Sequence, residues 1–234
     1  MDVLFYEGVH SVIFGSKHSW LDWHLVPLSK PVIPPPELVE NYVDIPGANG
    51  QLDLSEVVNG FPTYKNRSGE FSFVIDPAYW FLDKAYDEIA NELHGKRTRV
   101  ILTDDPNWFY EGRVSISSAE AGRDYSTISF KYNFDPFKLS VDVVPGLSGI
   151  NVSGTTEVTV PIGMSPMRTV PRIMADVTSG SMTATLKRSG EPDSVTDIAT
   201  GSFRYPALVL GPGSNKLVFS GEGTVTIEVR GGSL

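Results

Sequence analysis

The chain has 234 residues, and its 28 acidic and 19 basic side chains give a formal net charge of −9. Because nucleic acids and anionic membranes attract basic surfaces, this balance argues against broad binding to either. The chain contains no cysteine, which excludes a disulfide framework, a cysteine nucleophile and thiolate metal sites. With 41% hydrophobic residues, the composition is that of a packed protein.

The composition changes near residue 140. Of the 25 aromatic residues, 22 lie in 1–140, and this part carries a net charge of −8 against −1 for the rest. A stretch rich in Gly and Pro follows, as expected of a boundary between domains. We therefore expect an N-terminal domain at 1–140, a linker at 141–154 and a C-terminal domain at 155–234.

Short β patterns begin the first domain. Asp2–Tyr6 and His10–Phe14 read as a hairpin, and Trp20–Leu28 reads as a further strand because its residues suit a half-buried pleated surface. Pro31 and the triple Pro34–Pro36 then deny the backbone the N–H groups that a strand ladder needs. This segment is predicted to be an extended arm or connecting loop.

One helix is predicted, from about Pro77 to His94. Asp76 suits the N-cap, and Pro77 suits the first helical position, where its missing donor costs nothing. Gly95 is expected to end the helix. Apolar residues recur at three- and four-residue spacing and give the helix one buried face: Leu82, Ala85, Tyr86, Ile89, Ala90 and Leu93.

Three strands are predicted after the helix. Thr98–Thr103 and Trp108–Ile116 flank the turn sequence DDPN, and Tyr125–Phe134 follows. The first domain is therefore predicted to be a β-sandwich or barrel with one packed α-helix and a proline-rich arm.

The second domain reads as strands throughout. The predicted strands are Glu157–Val160, Arg172–Thr178, Met182–Lys187, Ser202–Leu210, Lys216–Phe219 and Thr224–Arg230. Glycine-rich turns are predicted at 179–181, 211–215 and 221–223. The pattern favours a small antiparallel β-sandwich of galectin-like or jelly-roll type, so the chain as a whole is predicted to be mainly β.

The sequence predicts no catalytic, cofactor-binding or metal-binding residue. The side chains of suitable type include His18, Asp22, His24, Glu70, Asp104, Asp105 and Glu111. The histidines lack the spacing of a metal site, and the paired aspartates precede Pro106, where a turn favours them. Nothing in the sequence brings the two glutamates together as a glycosidase pair. The protein is therefore not expected to be an enzyme.

Trp20 and Trp23 have two interpretations. Exposed aromatic residues on a sheet can form a sugar-binding platform, whereas buried ones supply core or subunit contacts. The spacing favours packing. The alternative function is a cell-wall carbohydrate-binding module that uses either the C-terminal sandwich or these two tryptophans.

The most specific segment is YVDIPGANGQLDLSEVVNGFPTYKNRSGEFSFVI, residues 42–75. It resembles the signature region of siphophage distal tail proteins. The signature positions, which are the candidate interface residues, are Asp44, Pro46, Gly47, Gly50, Asp53, Tyr64, Asn66, Arg67, Gly69, Phe71 and Phe73. Gly47 and Gly50 are expected to permit a tight turn, and Asp53 to accept backbone hydrogen bonds. Arg67 is expected to form a forked ion pair with a carboxylate, either within one subunit or between subunits.

The resemblance implies a virion structural protein at the distal end of a phage tail, made in the host cytoplasm before assembly. Such proteins form a hexameric ring through the N-terminal domain, and the C-terminal sandwich projects outward. The ring joins the tail-tube protein to the tail-tip or tail-associated lysin protein, and receptor-binding proteins dock outside. DNA passes through the channel without sequence-specific binding, and no membrane insertion or cofactor is expected. Whether one ring or two stacked rings form is left open.

Overall fold

The computed structural model describes residues 10–47, 49–75, 82–122, 125–163, 165–187 and 192–234. The chain divides into two compact units between Lys138 and Leu139, with the last residue, Leu234, grouped with the first unit. No helix in the described ranges is long and apolar enough to cross a membrane.

The first unit contains one helix and nine strands among its described residues. They are β1 (Val12–Phe14), β2 (Lys17–His18), β3 (Leu25–Pro27), β4 (Tyr42–Asp44), β5 (Gln51–Asp53), β6 (Arg67–Ile75), α1 (Leu82–Leu93), β7 (Arg97–Leu102), β8 (Trp108–Ala121) and β9 (Ser126–Phe134). Strand β10 (Lys138–Ser140) spans the division between the units.

Seven of these strands form one antiparallel sheet in the order β2–β1–β7–β8–β9–β6–β3. Alternate side chains of each long strand enter a common apolar core, as Phe71, Phe73 and Ile75 of β6 do. Helix α1 packs against the same core through Ala85 and Ile89, both fully buried. The sheet therefore has an inner face on which the helix packs and an outer face on the opposite side.

The helix ends where the sequence predicts. Gly95 follows the last turn with a φ of 74°, a backbone conformation that suits glycine. Its predicted start at Asp76 and Pro77, like the predicted strand Asp2–Tyr6, lies outside the described residues. Tyr86, predicted on the buried face, is 40% exposed.

The predicted strand Trp20–Leu28 is wrong over most of its length. Only Leu25–Pro27 forms a strand, and residues 19–23 form a turn. The Nδ1 atom of His18 accepts the N–H groups of Trp20 and Leu21, both at 3.2 Å. These side-chain bonds stabilise a turn in place of an extended ladder.

The second unit is built from strands. They are β11 (Ile150–Pro161), β12 (Arg172–Lys187), β13 (Ser194–Ile198), β14 (Gly201–Arg204), β15 (Ser214–Glu228) and β16 (Gly232–Ser233). Four of them form an antiparallel sheet in the order β11–β15–β12–β13, and β14 pairs with β12. Residues 150–154, assigned to the linker from sequence, belong to β11.

The predicted turns at 179–181 and 221–223 are wrong. Both lie inside long strands, where Ser179 faces Glu222 and the register of β12 against β15 shifts on either side of Ser179. Gly180, Gly221 and Gly223 all have positive φ there. The glycines therefore bend continuous strands and do not connect separate ones.

Residues on the two sides of the bend share one buried core. Val152 of β11 and Val225 of β15 lie on one side of the bend. They belong to the same buried cluster as Leu186 of β12 and Leu217 of β15, which lie on the other side. A mainly β fold, with one helix packed on the first unit and an antiparallel second unit, is thus confirmed.

Candidate functional site

The first half of the signature forms a hairpin that pairs with no other named strand in the described chain. β4 and β5 face one another in the register Tyr42 to Asp53 and Asp44 to Gln51. The connection contains Gly47 and Gly50, whose φ angles are 80° and 83°. No atom lies within 4 Å of a Cβ built on either glycine, so conformation and not space requires glycine at both positions.

This hairpin is the centre of a segment, residues 38–58, that we call the arm from here on. The proline-rich stretch predicted from sequence comes directly before it and is not part of it. The arm holds eight of the nineteen large apolar residues that are exposed in the described chain. They are Leu38, Val39, Tyr42, Val43, Ile45, Leu52, Val57 and Val58. Val57 and Val58 are the most exposed of these, at 69% and 91%. An apolar surface of this density typically marks an interaction site.

The arm is held by backbone and short side-chain hydrogen bonds and has no core of its own. At its base the Val39 N–H donates to Thr63 O at 2.8 Å. The Asn41 N–H donates to the Ser55 hydroxyl at 2.8 Å, and the Ser55 N–H donates to Asp53 Oδ1 at 2.9 Å. The backbone-accepting role predicted for Asp53 is confirmed. An isolated two-stranded hairpin is only marginally stable, so packing against a partner would stabilise the arm.

The arm is also acidic. Between residues 38 and 58 the chain has four carboxylates, Glu40, Asp44, Asp53 and Glu56, and no basic residue. The carboxylates of Glu40 and Asp53 raise the pKa of Tyr42, because they oppose a further negative charge beside them. Hydrogen bonds from Ser55 lower the pKa of Asp53. The arm therefore combines exposed apolar side chains with negative charge alone.

The second half of the signature builds the core of the first unit. Phe71 and Phe73 are 3% and 0% exposed, and the ring centroid of Phe71 lies 4.6 Å from that of Tyr132. A Cβ on Gly69 would lie 2.3 Å from the Tyr132 hydroxyl oxygen, so a larger residue there would require the buried Tyr132 ring to move. The structure thus separates the signature into an exposed hairpin and a structural strand.

Two further signature residues make contacts just before and around β6. Asn66 donates to Asn133 Oδ1 at 2.7 Å, linking the start of β6 to β9. The ring of Tyr64 meets Phe137 edge-on at 5.7 Å between centroids. Both interactions tie residues 64–66 to the end of the first unit.

The ion pair predicted for Arg67 does not form within the described part of the chain. Arg67 is 3% exposed, and no carboxylate of the described chain lies within ion-pairing distance of it. Its Nε donates to Pro136 O at 2.7 Å and its Nη1 donates to Pro34 O at 2.8 Å, while the guanidinium lies 5.3 Å from the centre of the Tyr110 ring. Burial lowers the pKa of Arg67. The residue is a structural clamp on the proline-rich segment.

The tryptophans are packed. Trp20 is 8% exposed, and Trp23 is fully buried in the core with its ring centroid 6.0 Å from that of Phe14. The packing interpretation is confirmed, and a sugar platform built on these two residues is wrong.

The acidic side chains weighed for catalysis have structural partners. Asp22 Oδ2 accepts the His18 N–H at 2.6 Å, Asp104 binds His10 at 2.7 Å and Asp105 binds Lys138 at 2.8 Å. Glu70 binds the Ser117 hydroxyl and Glu111 binds Arg97, and strand β9 separates β6 from β8. Among the described residues no group of three His, Asp or Glu side chains is placed to hold a metal ion.

The outer face of the first sheet carries a basic cluster that the sequence did not reveal. Arg99, Arg113 and Lys131 are all exposed on β7, β8 and β9. They are far apart in sequence, and only the register of the strands brings them together. The one sequence signal for them is that each lies at an outward position of an alternating strand.

The fold of the chain is similar to that of a solved structure, the crystal structure of the SPP1 Dit (gp 19.1) protein. The TM-score is 0.63 at 15% sequence identity, and the alignment covers 97% of this chain and 100% of that chain. That protein is described as a paradigm of the hub adsorption apparatus in phages that infect Gram-positive bacteria. At this identity the similarity is one of fold. No protein-family model and no curated protein matches the sequence.

Proposed function

We propose that the chain is a structural protein of a phage virion, the distal tail hub of a long, non-contractile tail. Its fold extends over essentially the whole of the Dit protein, which belongs to a hub adsorption apparatus, and this single observation carries the proposal. Residues 42–75 also support it, because their sequence resembles the signature region of siphophage distal tail proteins.

In this proposal the first unit, described from residue 10 to 138, forms a hexameric ring, and the exposed arm supplies part of the contact between copies. A ring needs a heterologous interface, in which two different patches of the same chain meet. The arm provides one such patch, because it is apolar, protruding and not covered by its own unit. The ring would join the tail tube to the tail-tip or adhesion protein and let DNA pass through its channel.

The proposed protein acts through contacts and not through chemistry. Its partners are further copies of itself, the tail-tube protein, the tail-tip or tail-associated lysin protein and receptor-binding proteins outside the ring. We place it at the distal end of the tail in the virion, after synthesis in the host cytoplasm.

The mass of the purified protein tests the proposal. Light scattering should give a mass of about six protomers of 25.6 kDa, or twice that for two stacked rings, and negative-stain micrographs should show toroids with a central hole. A protein that remains monomeric at high concentration, and that does not add to the ends of purified tail tubes, would contradict the proposal.

A further inference from the structure

Within the described part of one copy, the negative charge of the arm is not neutralised and its apolar side chains are not covered. Its four carboxylates have no basic residue among them, and eight apolar side chains are exposed around them. Glu40 and Glu56 make no hydrogen bond or ion pair through their side chains in the described structure. A surface that suits the arm must therefore offer positive charge together with apolar area.

The outer face of the first sheet offers both. Arg99, Arg113 and Lys131 are exposed, and none forms a salt bridge in the described chain, although Glu111 faces Arg99 and Glu70 faces Lys131 across the paired strands. Arg97 on the same face differs, because Asp135 and Glu111 already neutralise it. Arg113 donates only to a backbone carbonyl, that of Gly95 at 2.8 Å.

The strand register places the three unpaired cations in a diagonal row. Arg99 faces Glu111 and Arg113 faces Arg97 across β7 and β8, so Arg99 and Arg113 are diagonal neighbours. Arg113 faces Asn133 and Ser115 faces Lys131 across β8 and β9, which continues the row. Diagonal neighbours on one face of an antiparallel pair lie roughly 7–8 Å apart.

Two partly exposed isoleucines accompany this row. The Phe109 ring, whose centre lies 4.8 Å from the Arg99 guanidinium, is only 2% exposed and adds no surface of its own. Ile13 and Ile101, paired across β1 and β7, are partly exposed. We call this surface, centred on Arg99, Arg113 and Lys131, the basic face.

We propose that the arm of one copy docks on the basic face of a second copy of the same chain. The inference deepens the proposed function, since it rests on a ring and names the two patches that meet. The pairing neutralises three unpaired cations with the four carboxylates of the arm and covers exposed apolar side chains on both surfaces. Because the arm and the basic face are different patches of one unit, the contact is heterologous and propagates from copy to copy.

Charge reversal on both sides tests the pairing. The arm variant is Glu40→Lys with Glu56→Lys, and the face variant is Arg99→Glu with Lys131→Glu. Like charges placed across an interface oppose association, so each variant should raise the concentration needed for half-assembly by about tenfold or more. A chain that carries all four substitutions should recover assembly to within about threefold of the natural protein.

The matched control is Glu88→Lys with Glu92→Lys, which changes the net charge as much as the arm variant does but on the exposed side of α1. It should leave the assembly concentration unchanged. Reversals that act no more strongly than this control, or a fourfold variant that fails to recover, would overturn the docking. If short duplex DNA binds the natural protein and the face variant loses this binding while still forming rings, the basic face serves nucleic acid and the inference is wrong.

A covalent readout separates failure of the docking from failure of the ring. The chain has no cysteine, so single cysteines can be introduced without background. Mixed Glu56→Cys and Lys131→Cys proteins should form a disulfide-linked dimer under mild oxidation, whereas Glu56→Cys with Glu88→Cys should not. Rings without this crosslink would refute the docking alone, and a crosslinked dimer that never closes into rings would refute the hexamer alone.

Discussion

The Nη1 atom of Arg67 donates a hydrogen bond of 2.8 Å to the carbonyl oxygen of Pro34. The Nε atom of the same guanidinium donates to Pro136 O at 2.7 Å. One side chain thus ties the proline-rich segment that leads into the arm to the end of the first unit. Because a buried guanidinium without a carboxylate is costly, these hydrogen bonds and the neighbouring Tyr110 ring are what compensate its burial.

Arg67→Lys should therefore destabilise the first unit. A lysine ammonium cannot donate in both directions with the geometry of the planar guanidinium, and each hydrogen bond from a charged donor contributes roughly 1.5–3 kcal/mol. We expect the free energy of unfolding to fall by about 2 kcal/mol, measured by urea titration with tryptophan fluorescence, since all four tryptophans precede residue 140. Faster proteolysis at residues 30–36 should accompany the loss.

Arg113→Lys is the control for this substitution, because Arg113 also donates to a backbone carbonyl at 2.8 Å but is exposed. Its unfolding free energy should change by less than about 0.5 kcal/mol. Equal effects of the two substitutions would show that Arg67 is not a clamp.

The bend of the second unit makes a prediction for Gly223. A Cβ built on this glycine would lie 2.2 Å from the carbonyl oxygen of Asp176, and its φ is 155°. Gly223→Ala should therefore lower the stability of the second unit by about 2 kcal/mol or more, because the backbone of β12 must move. Calorimetry is the suitable measurement, since the second unit has no tryptophan.

Gly211→Ala is the matched control, because no atom lies within 4 Å of a Cβ at that position and its φ is not positive. It should unfold at nearly the temperature of the natural protein. If Gly223→Ala unfolds together with this control, the close approach of β12 and β15 is not needed for stability.

Local patterns predicted those parts of the fold that depend on neighbours in sequence. The helix end at Gly95 and the hairpin of β7 and β8 are such cases, because capping and turn chemistry decide them. The turns predicted at Gly180 and Gly221 are wrong because glycine supplies the same backbone freedom to a hairpin turn and to a bend within a strand. The pairing of β15 with both β11 and β12 decides between the two, and that pairing is not local.

The candidate site was predictable as a segment but not as a surface. Gly47, Gly50 and Asp53 were assigned their turn roles correctly from residue type. The exposure of β4 was not predictable, because its residue types, such as Tyr42 and Val43, would equally suit a core strand such as β6. The basic face was not predictable as a cluster, since Arg99 and Lys131 come near one another only through the register of three strands.

His18 makes the stability of the first unit dependent on pH. Its Nδ1 atom accepts the Trp20 and Leu21 N–H groups, which only a neutral imidazole can do. Burial lowers the pKa of His18 from its ordinary value of 6.5, although the Asp22 carboxylate partly opposes this. The unfolded chain therefore takes up the proton first as the pH falls, so this contribution to stability is present above pH 6.5 and is lost as the pH drops through the folded pKa.

We expect His18→Asn to flatten this dependence. The asparagine carbonyl accepts backbone N–H groups two or three residues ahead but does not titrate. Urea titrations at intervals between pH 8 and pH 5 should show the natural protein losing more stability than the variant. Parallel profiles for the two proteins would mean that His18 does not hold the turn in its neutral form.

The apolar arm gives the last prediction. Val57 and Val58 are 69% and 91% exposed, so replacing both with serine removes almost no packing within one copy. The melting temperature of the first unit, followed by tryptophan fluorescence in the whole chain, should stay unchanged, since substitutions of exposed residues typically alter stability by less than about 0.5 kcal/mol.

Assembly of the copies should weaken, because burying each valine at an interface contributes roughly 1–2 kcal/mol. Sedimentation velocity over a dilution series measures this, with Val195→Ser, at a 61% exposed position in the second unit, as the control. If oligomers of the Val57 and Val58 variant survive dilution as well as those of the Val195→Ser control, this part of the arm does not lie in the contact between copies.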